Sequence, residues 1–328
     1  MQEIRWGIIG CGDVTEVKSG PAFSKVPQSK LVAVMRRDAA KAADYAQRHH
    51  VPRWYANADD LINDPEVNAV YIATPPGSHL EYTLKVAAAG KPVYVEKPMA
   101  LNYGQCQQMV EACAQAKVPL YVAYYRRSQP FFRKVKELVT TGAIGQVRLV
   151  NIRLYHPPKP DLDPAELPWR VQPEISGGGL FFDLASHQLD LMDFIFGPII
   201  EVEGMKANQA GLYPAEDIVA ANFSFASGVQ GSGLWCFTVA ENARTDSTEI
   251  IGSTGRIVFS TFGSDILLLE NETGKQEIQI PYPEHVQQPF IQDMVAELLG
   301  RGTCPSTGVS AARTALVMDK IVGNQINA

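Results

Sequence analysis

Near-continuous apolar runs alternate with helix-compatible segments through residues 1–125 of this chain. The runs are IRWGII (4–9), LVAVM (31–35), VNAVYIA (67–73), PVYVE (92–96) and PLYVAYY (119–125). Strands without polar alternation are buried on both faces, and that pattern belongs to a parallel sheet with helices above and below. The helices between them carry their own punctuation. A glycine turn after the first strand leads into a helix running to Val26. Asp38 is placed to cap the helix over 39–49, and Ser78 the helix over 79–90, with Gly90 ending the latter. The stretch 103–117 reads as a further helix.

The pattern changes after Ile144-Gly145. Residues 146–156 and 217–228 partly alternate apolar and polar, with Ala221, Phe223 and Phe225 on one face. Hairpin-like turns occur at Ser253-Thr254-Gly255 and Glu272-Thr273-Gly274. This half reads as an antiparallel or mixed sheet, interrupted by a helix over Asp183–Phe196 and finished by helices near Pro289–Leu299 and Ser310–Val322. The proline-rich stretch Tyr155–Trp169 reads as a long loop of the kind that often lies over a site. With 328 residues, two domains are expected. We place a dinucleotide-binding domain at 1–125 and a substrate and oligomerisation domain at 126–328, the final helices being free to pack back on the first.

Hydrophobic residues make up 46% and charged residues 20%, which fits a water-soluble globular chain, and no apolar run is long enough for a membrane helix. The first residues resemble a mature cytoplasmic N-terminus rather than an export signal. A net charge of −6 offers nucleic acid and anionic membranes no general attraction. Cys11, Cys106, Cys113, Cys236 and Cys304 show neither paired spacing nor a nearby histidine pair, so reduced thiols are expected rather than disulfides or a zinc site.

Gly10-x-Gly12 follows the first strand directly. Glycines there permit a tight turn and a close approach of backbone to a pyrophosphate, with Asp13 and Val14 opening the next helix. A plain turn has the same two glycines, and the third fingerprint position is Thr15 rather than Gly or Ala. The second strand runs into Arg36, Arg37 and Asp38. An acid at such a strand end holds a ribose 2′-hydroxyl, whereas guanidinium forks suit a 2′-phosphate. Asp38 is accounted for by helix capping, so NADP(H) is favoured over NAD(H). The competing reading puts both arginines on a solvated turn.

Five segments then carry a resemblance: GIIGCGDV (7–14), ATPPGSH (73–79), EKPMA (96–100), YYRRSQP (124–130) and GGGLFFDLASHQLDLMDFIFG (177–197). In this order they resemble the glucose-fructose oxidoreductase and inositol dehydrogenase family, Gfo/Idh/MocA, over nearly the whole chain. The resemblance implies an α/β protein with an N-terminal Rossmann domain and a C-terminal α+β domain built on a large, mainly antiparallel, open-faced sheet. It implies that Lys97 lies between nicotinamide and substrate after a cis Lys97–Pro98 bond, and that Glu96 sits near the nicotinamide ribose. It implies cofactor contacts at Thr74, Pro75 and His79, and a pocket lined by Trp169 and Arg170. It also places Asp183 and His187 beside the substrate hydroxyl. Tyr125 departs from the family, which often has Asn there.

Each of these residues also has a plainer reading. Lys97 could pair with Glu96 at a sheet edge, Trp169 could anchor a loop, and His79 could be an ordinary first-turn residue. Asp183, His187 and Asp190 could hold a metal, but no further ligand with suitable spacing joins them. Asp183 and His187 at i and i+4 suit acid–base work better. The resulting expectation is an NAD(P)-dependent oxidoreductase, with NADP(H) favoured, acting on a sugar, polyol or related carbonyl compound. His187 moves the hydroxyl proton, Asp183 polarises it, and Lys97 orients the substrate oxygen. A dihydrodiol dehydrogenase- or anhydrofructose reductase-like enzyme and a non-catalytic NADP(H)-binding sensor are the alternatives. The bare sheet face predicts a homodimer or homotetramer.

Overall fold

The computed structural model describes residues 2–159, 162–163 and 165–324; Pro160, Asp161 and Pro164 of the expected long loop lie outside the described residues. The chain divides into two units. One comprises Met1–Ala100, Gly104–Gln129 and Pro283–Ala312; the other comprises Leu101–Tyr103, Pro130–Tyr282 and Arg313–Ala328. No helix among the described residues is long and apolar enough to cross a membrane.

The first unit is built on β1 (Ile4–Ile9), β2 (Ser29–Met35), β3 (Arg53–Tyr55), β4 (Ala69–Ile72), β5 (Val93–Val95) and β6 (Leu120–Val122). All pair in parallel, in the order β3-β2-β1-β4-β5-β6. Every residue of β4, β5 and β6 is buried, which explains their unbroken apolar character. The strand order reverses between β1 and β4. That reversal opens a crevice at the carboxyl ends, where α/β sheets bind ligands. Strand β3 and the helix Ala58–Asn63 carry no pattern strong enough to predict them: β3 has three residues, none fully buried.

The helix expected to run to Val26 is instead two pieces, Asp13–Val17 and Gly20–Lys25. Pro21 has no N–H to continue the first piece, and the Thr15 carbonyl accepts from the Tyr45 hydroxyl at 2.8 Å. The helix Gln288–Leu298 belongs to this unit, with Phe290, Ile291 and Met294 in the same core as Trp6, Phe23 and Tyr94.

The second unit holds β7 (Val147–Tyr155), β8 (Ile199–Ala207), β9 (Ile218–Phe225), β10 (Gln230–Cys236), β11 (Thr245–Gly252), β12 (Gly255–Phe259), β13 (Ile266–Asn271) and β14 (Gly274–Gln279). Their order is β14-β13-β12-β11-β7-β10-β9-β8, with only β7 and β10 parallel. Both expected hairpin turns are present. In β9 the buried positions alternate through Val219, Ala221, Phe223 and Phe225, so one face packs on the core. The helix Ser186–Phe196 is tied to the sheet by Trp235 Nε1, which donates to Gln188 Oε1 at 2.7 Å. The opposite face is a shallow trough lined by Asn151, Arg153, Glu203, Asn222, Ser232 and Glu249.

Candidate active site

The first unit gathers its candidate residues at the carboxyl ends of β1, β2, β4 and β5. Gly10 has φ +89°, and a Cβ there would come within 2.7 Å of Thr74 Cγ2 and 3.1 Å of Ala73 backbone. The fold itself therefore demands glycine at 10. A Cβ on Gly12 would meet nothing closer than the Gly10 oxygen at 3.9 Å. The chain thus leaves open the space that the close approach of a pyrophosphate to the backbone would require. The two glycines should separate on substitution. Gly10→Ala is expected to lower stability by about 1–2 kcal/mol. Gly12→Ala should leave the melting temperature unchanged and weaken dinucleotide binding roughly tenfold or more, about 1.4 kcal/mol; thermal unfolding and cofactor titration read the two effects.

Thr15 has a local job that explains the departure from the fingerprint. Its hydroxyl donates to the Gly12 carbonyl at 2.7 Å and accepts from the Gly12 N–H at 3.0 Å, closing the turn. Asp13 and Val14 open the short helix behind it. Burial pushes the Cys11 thiol up to about 11, so it stays protonated at neutral pH.

At the end of β2, Arg36 is half-buried and Arg37 exposed. Arg36 Nη1 donates to the Cys11 carbonyl at 3.2 Å, which fixes the guanidinium beside the glycine turn. Asp38 caps its helix as expected: Oδ1 accepts from the Lys41 N–H at 3.1 Å, and that bond holds its carboxyl below the ordinary range. Asp38 is thus committed to the helix.

The loop after β4 differs from expectation. The Ser78 hydroxyl donates to the Pro75 carbonyl at 3.1 Å and lies 2.8 Å from the Thr74 hydroxyl, so it does not cap the helix His79–Ala88; a 3-10 turn, Pro76–Ser78, precedes that helix. His79, expected at the cofactor, is fully buried, and both ring nitrogens face backbone carbonyls of Thr74, Pro98 and Met99. It braces two segments rather than presenting a free edge to a ligand. Thr74 is half-buried and Pro75 exposed on the loop that this brace holds.

Glu96 and Lys97 follow β5. Glu96 is turned into the interior: Oε1 accepts from the Tyr71 hydroxyl and from Gln287 Nε2 at 2.8 Å, and Oε2 accepts from the Lys97 N–H at 3.2 Å. Those bonds engage both carboxylate oxygens within the protein. Burial and then the Glu96 charge hold the Tyr71 phenol well above its ordinary pKa. The Lys97–Pro98 peptide is cis and Lys97 is half-buried. Sequence reasoning missed Tyr71 and Gln287. A tyrosine inside an otherwise aliphatic β4 was the available signal for the first, and none marks the second.

In the second unit the expected single helix is again two structures. Phe181–Ala185 is a π-helical turn, and Ser186–Phe196 continues as α-helix. Asp183 lies in the π turn and His187 in the first turn of the α-helix, so the wider turn sets their relative placement; such turns occur often at functional sites. Asp183 Oδ2 lies 3.3 Å from Arg170 Nε, and the Arg170 guanidinium stacks 4.4 Å from the Trp169 ring centroid. The Trp169-Arg170 pair is thereby joined to Asp183. His187 is 4% exposed, and its ring meets Phe262 edge-on, with centroids 5.9 Å apart.

Asp190 is buried and accepts from the Thr314 hydroxyl at 3.4 Å. Gly177, at φ +84°, leaves no space for a Cβ, which would lie 2.4 Å from the Leu101 carbonyl oxygen. The N–H of Gly179 donates to Glu216 Oε1 at 3.0 Å, a support that no motif announced. Tyr125, in the 3-10 turn Tyr125–Ser128 of the first unit, is nearly buried, and the Arg126 guanidinium lies 5.0 Å from its ring centroid.

Known proteins share this fold. Residues 4–124 match an oxidoreductase family with an NAD-binding Rossmann fold, and residues 132–258 match the Gfo/Idh/MocA C-terminal domain. The chain is 43% identical to Oxidoreductase P35 of Formosa agariphila over 98% of both chains. It is 27% identical to a 1,5-anhydro-D-fructose reductase of Ensifer adhaerens, covering 93% of this chain and 91% of that one. Levoglucosan dehydrogenase in complex with NADH and levoglucosan has the same fold, with a TM-score of 0.86 at 23% identity, over 98% of this chain and 96% of the other.

Proposed function

Because the chain belongs to the Gfo/Idh/MocA family of oxidoreductases, we propose that it uses NADP(H) to interconvert a carbinol and a carbonyl on a sugar, polyol or related compound. The observation that carries this reading is the clustering of the glycine turn, Thr74 and Lys97 at the carboxyl ends of β1, β4 and β5, where the strand order reverses. Anhydrofructose reductase and levoglucosan dehydrogenase among the similar proteins support a sugar-like substrate.

The dinucleotide, when bound, supplies or accepts hydride at its nicotinamide. Gly12 leaves room for its pyrophosphate, and Arg36 and Arg37 hold the 2′-phosphate. Lys97 orients the substrate oxygen and stabilises the charge that develops on it. His187 delivers the hydroxyl proton in reduction and removes it in oxidation. Asp183 and Arg170 fix the polar wall next to His187, and Trp169 covers a sugar ring. A homodimer or homotetramer uses the open face of the second sheet, where Ile200 and Met205 are 55% and 74% exposed. Cytoplasmic residence agrees with five free thiols.

The cofactor reading has a direct test. NADPH is expected to bind about tenfold or more tighter than NADH, since each hydrogen bond to a charged group contributes about 1.5–3 kcal/mol. The double variant Arg36→Ala/Arg37→Ala should erase that difference without weakening NADH. Tighter binding of NADH to the wild-type protein would sink the assignment.

A further inference from the structure

His79 meets acceptors on both sides. Its Nε2 lies 2.7 Å from the Thr74 carbonyl oxygen, while Nδ1 lies 3.0 Å from that of Pro98 and 3.1 Å from that of Met99. A neutral imidazole has one N–H and one lone pair. In either tautomer it donates to one segment and turns its lone pair toward a carbonyl oxygen of the other. Only a ring with two protons donates to both. The ring has no exposed surface, so bulk water cannot relieve the mismatch. Left unrelieved, a buried polar group without a hydrogen bond destabilises by about 1–3 kcal/mol.

The two segments are the loop that starts at Thr74 and the turn that carries Lys97. We infer that His79 is a positioning residue, a proton-dependent tie that holds both segments when the ring carries two protons and only one of them when it carries one. Its effect on catalysis rests on the reading of Lys97 as the reactive residue; its protonation does not. Opposing forces act on that proton. Burial pushes the ring below its ordinary pKa, while the carbonyls of Thr74, Met99 and Pro98 and the carboxylate of Glu96 pull it back up. Burial prevails, so the second proton leaves at lower pH than from a free histidine. Above that pH one of the two segments is released.

Long-range proton–nitrogen NMR of the protein labelled at its six histidines reads the ring directly, with His79→Gln assigning the signal. Both nitrogens of His79 are expected to be N–H in acid, with one converting to a lone-pair nitrogen as pH rises, at a midpoint below that of free histidine. A single neutral tautomer throughout the range would overturn the inference. Kinetics supply the second arm. The side-chain amide of His79→Gln stands near Nε2 and keeps the Thr74 loop. That of His79→Asn stands near Nδ1 and keeps the Lys97 turn. Assayed in acid, below the midpoint of the ring, the Gln variant should lose kcat about three- to tenfold with KM for NADPH retained, and the Asn variant should show the reverse, each by about one neutral hydrogen bond. Identical behaviour of the two variants would contradict the tie. If neither folds, the wild-type spectra decide alone. If the spectra show two protons but neither variant changes turnover, the tie does not position Lys97.

Discussion

Lys97→Met is expected to lower kcat by about 10²–10⁴-fold while NADPH still binds. The substitution keeps an unbranched side chain of similar length at a half-buried position, so the turn after β5 retains its packing. What disappears is the ammonium, the group proposed to hold the substrate oxygen as charge builds on it. An interaction made mainly in the transition state reduces kcat and kcat/KM together. Cofactor titration separates this from a folding defect. The backbone bond from the Lys97 N–H to Glu96 is indifferent to the side chain, as are the bonds from Tyr71 and Gln287 that hold Glu96 inward. Full turnover by the variant would remove Lys97 from the chemistry.

His187→Asn should lower kcat by a similar factor, about 10²–10⁴-fold. The Asn amide retains polarity in a site that is 4% exposed but cannot relay a proton at neutral pH. The Arg170–Asp183 pair is expected to persist and keep substrate KM nearly constant. The combined variant Lys97→Met/His187→Asn is the sharper comparison. Residues that act as one unit lose little more together than singly. The double variant is therefore expected to turn over within about tenfold of the slower single variant. Multiplication of the two losses would mean that the residues act independently.

The parallel sheet was legible because burial on both faces removes polar alternation, and β1, β2, β4, β5 and β6 all announce themselves that way. The two hairpins of the second sheet were legible from their Thr-Gly turns. Strand β3 was not: three residues with Trp54 46% exposed leave no pattern to detect. The break before Gly20 needed Pro21 to be weighed above the helical character around it. The π turn at Phe181–Ala185 depends on how the chain enters the helix past Leu101 and Glu216, which periodicity does not encode.

The candidate site divides in the same way. Lys97 could be singled out because its charge ends a buried strand at the edge where ligands bind. The commitment of Glu96 to the interior could not, because Gln287 is 191 residues away in the chain. His79 reads as a first-turn helix residue until the carbonyls of Pro98 and Met99, nineteen and twenty residues on, are brought to it. The link from Arg170 to Asp183 likewise exists only after folding.

The most direct test of the central claim is reduction of a panel of sugars, ketoses and α-dicarbonyl compounds by NADPH deuterated at nicotinamide C4. Oxidation of the cofactor should be matched by deuterium at the new carbinol carbon of at least one product, and Lys97→Met should suppress both signals. Tight NADPH binding with no deuterium transferred to any member of the panel would contradict the account and favour a non-catalytic sensor of the nucleotide.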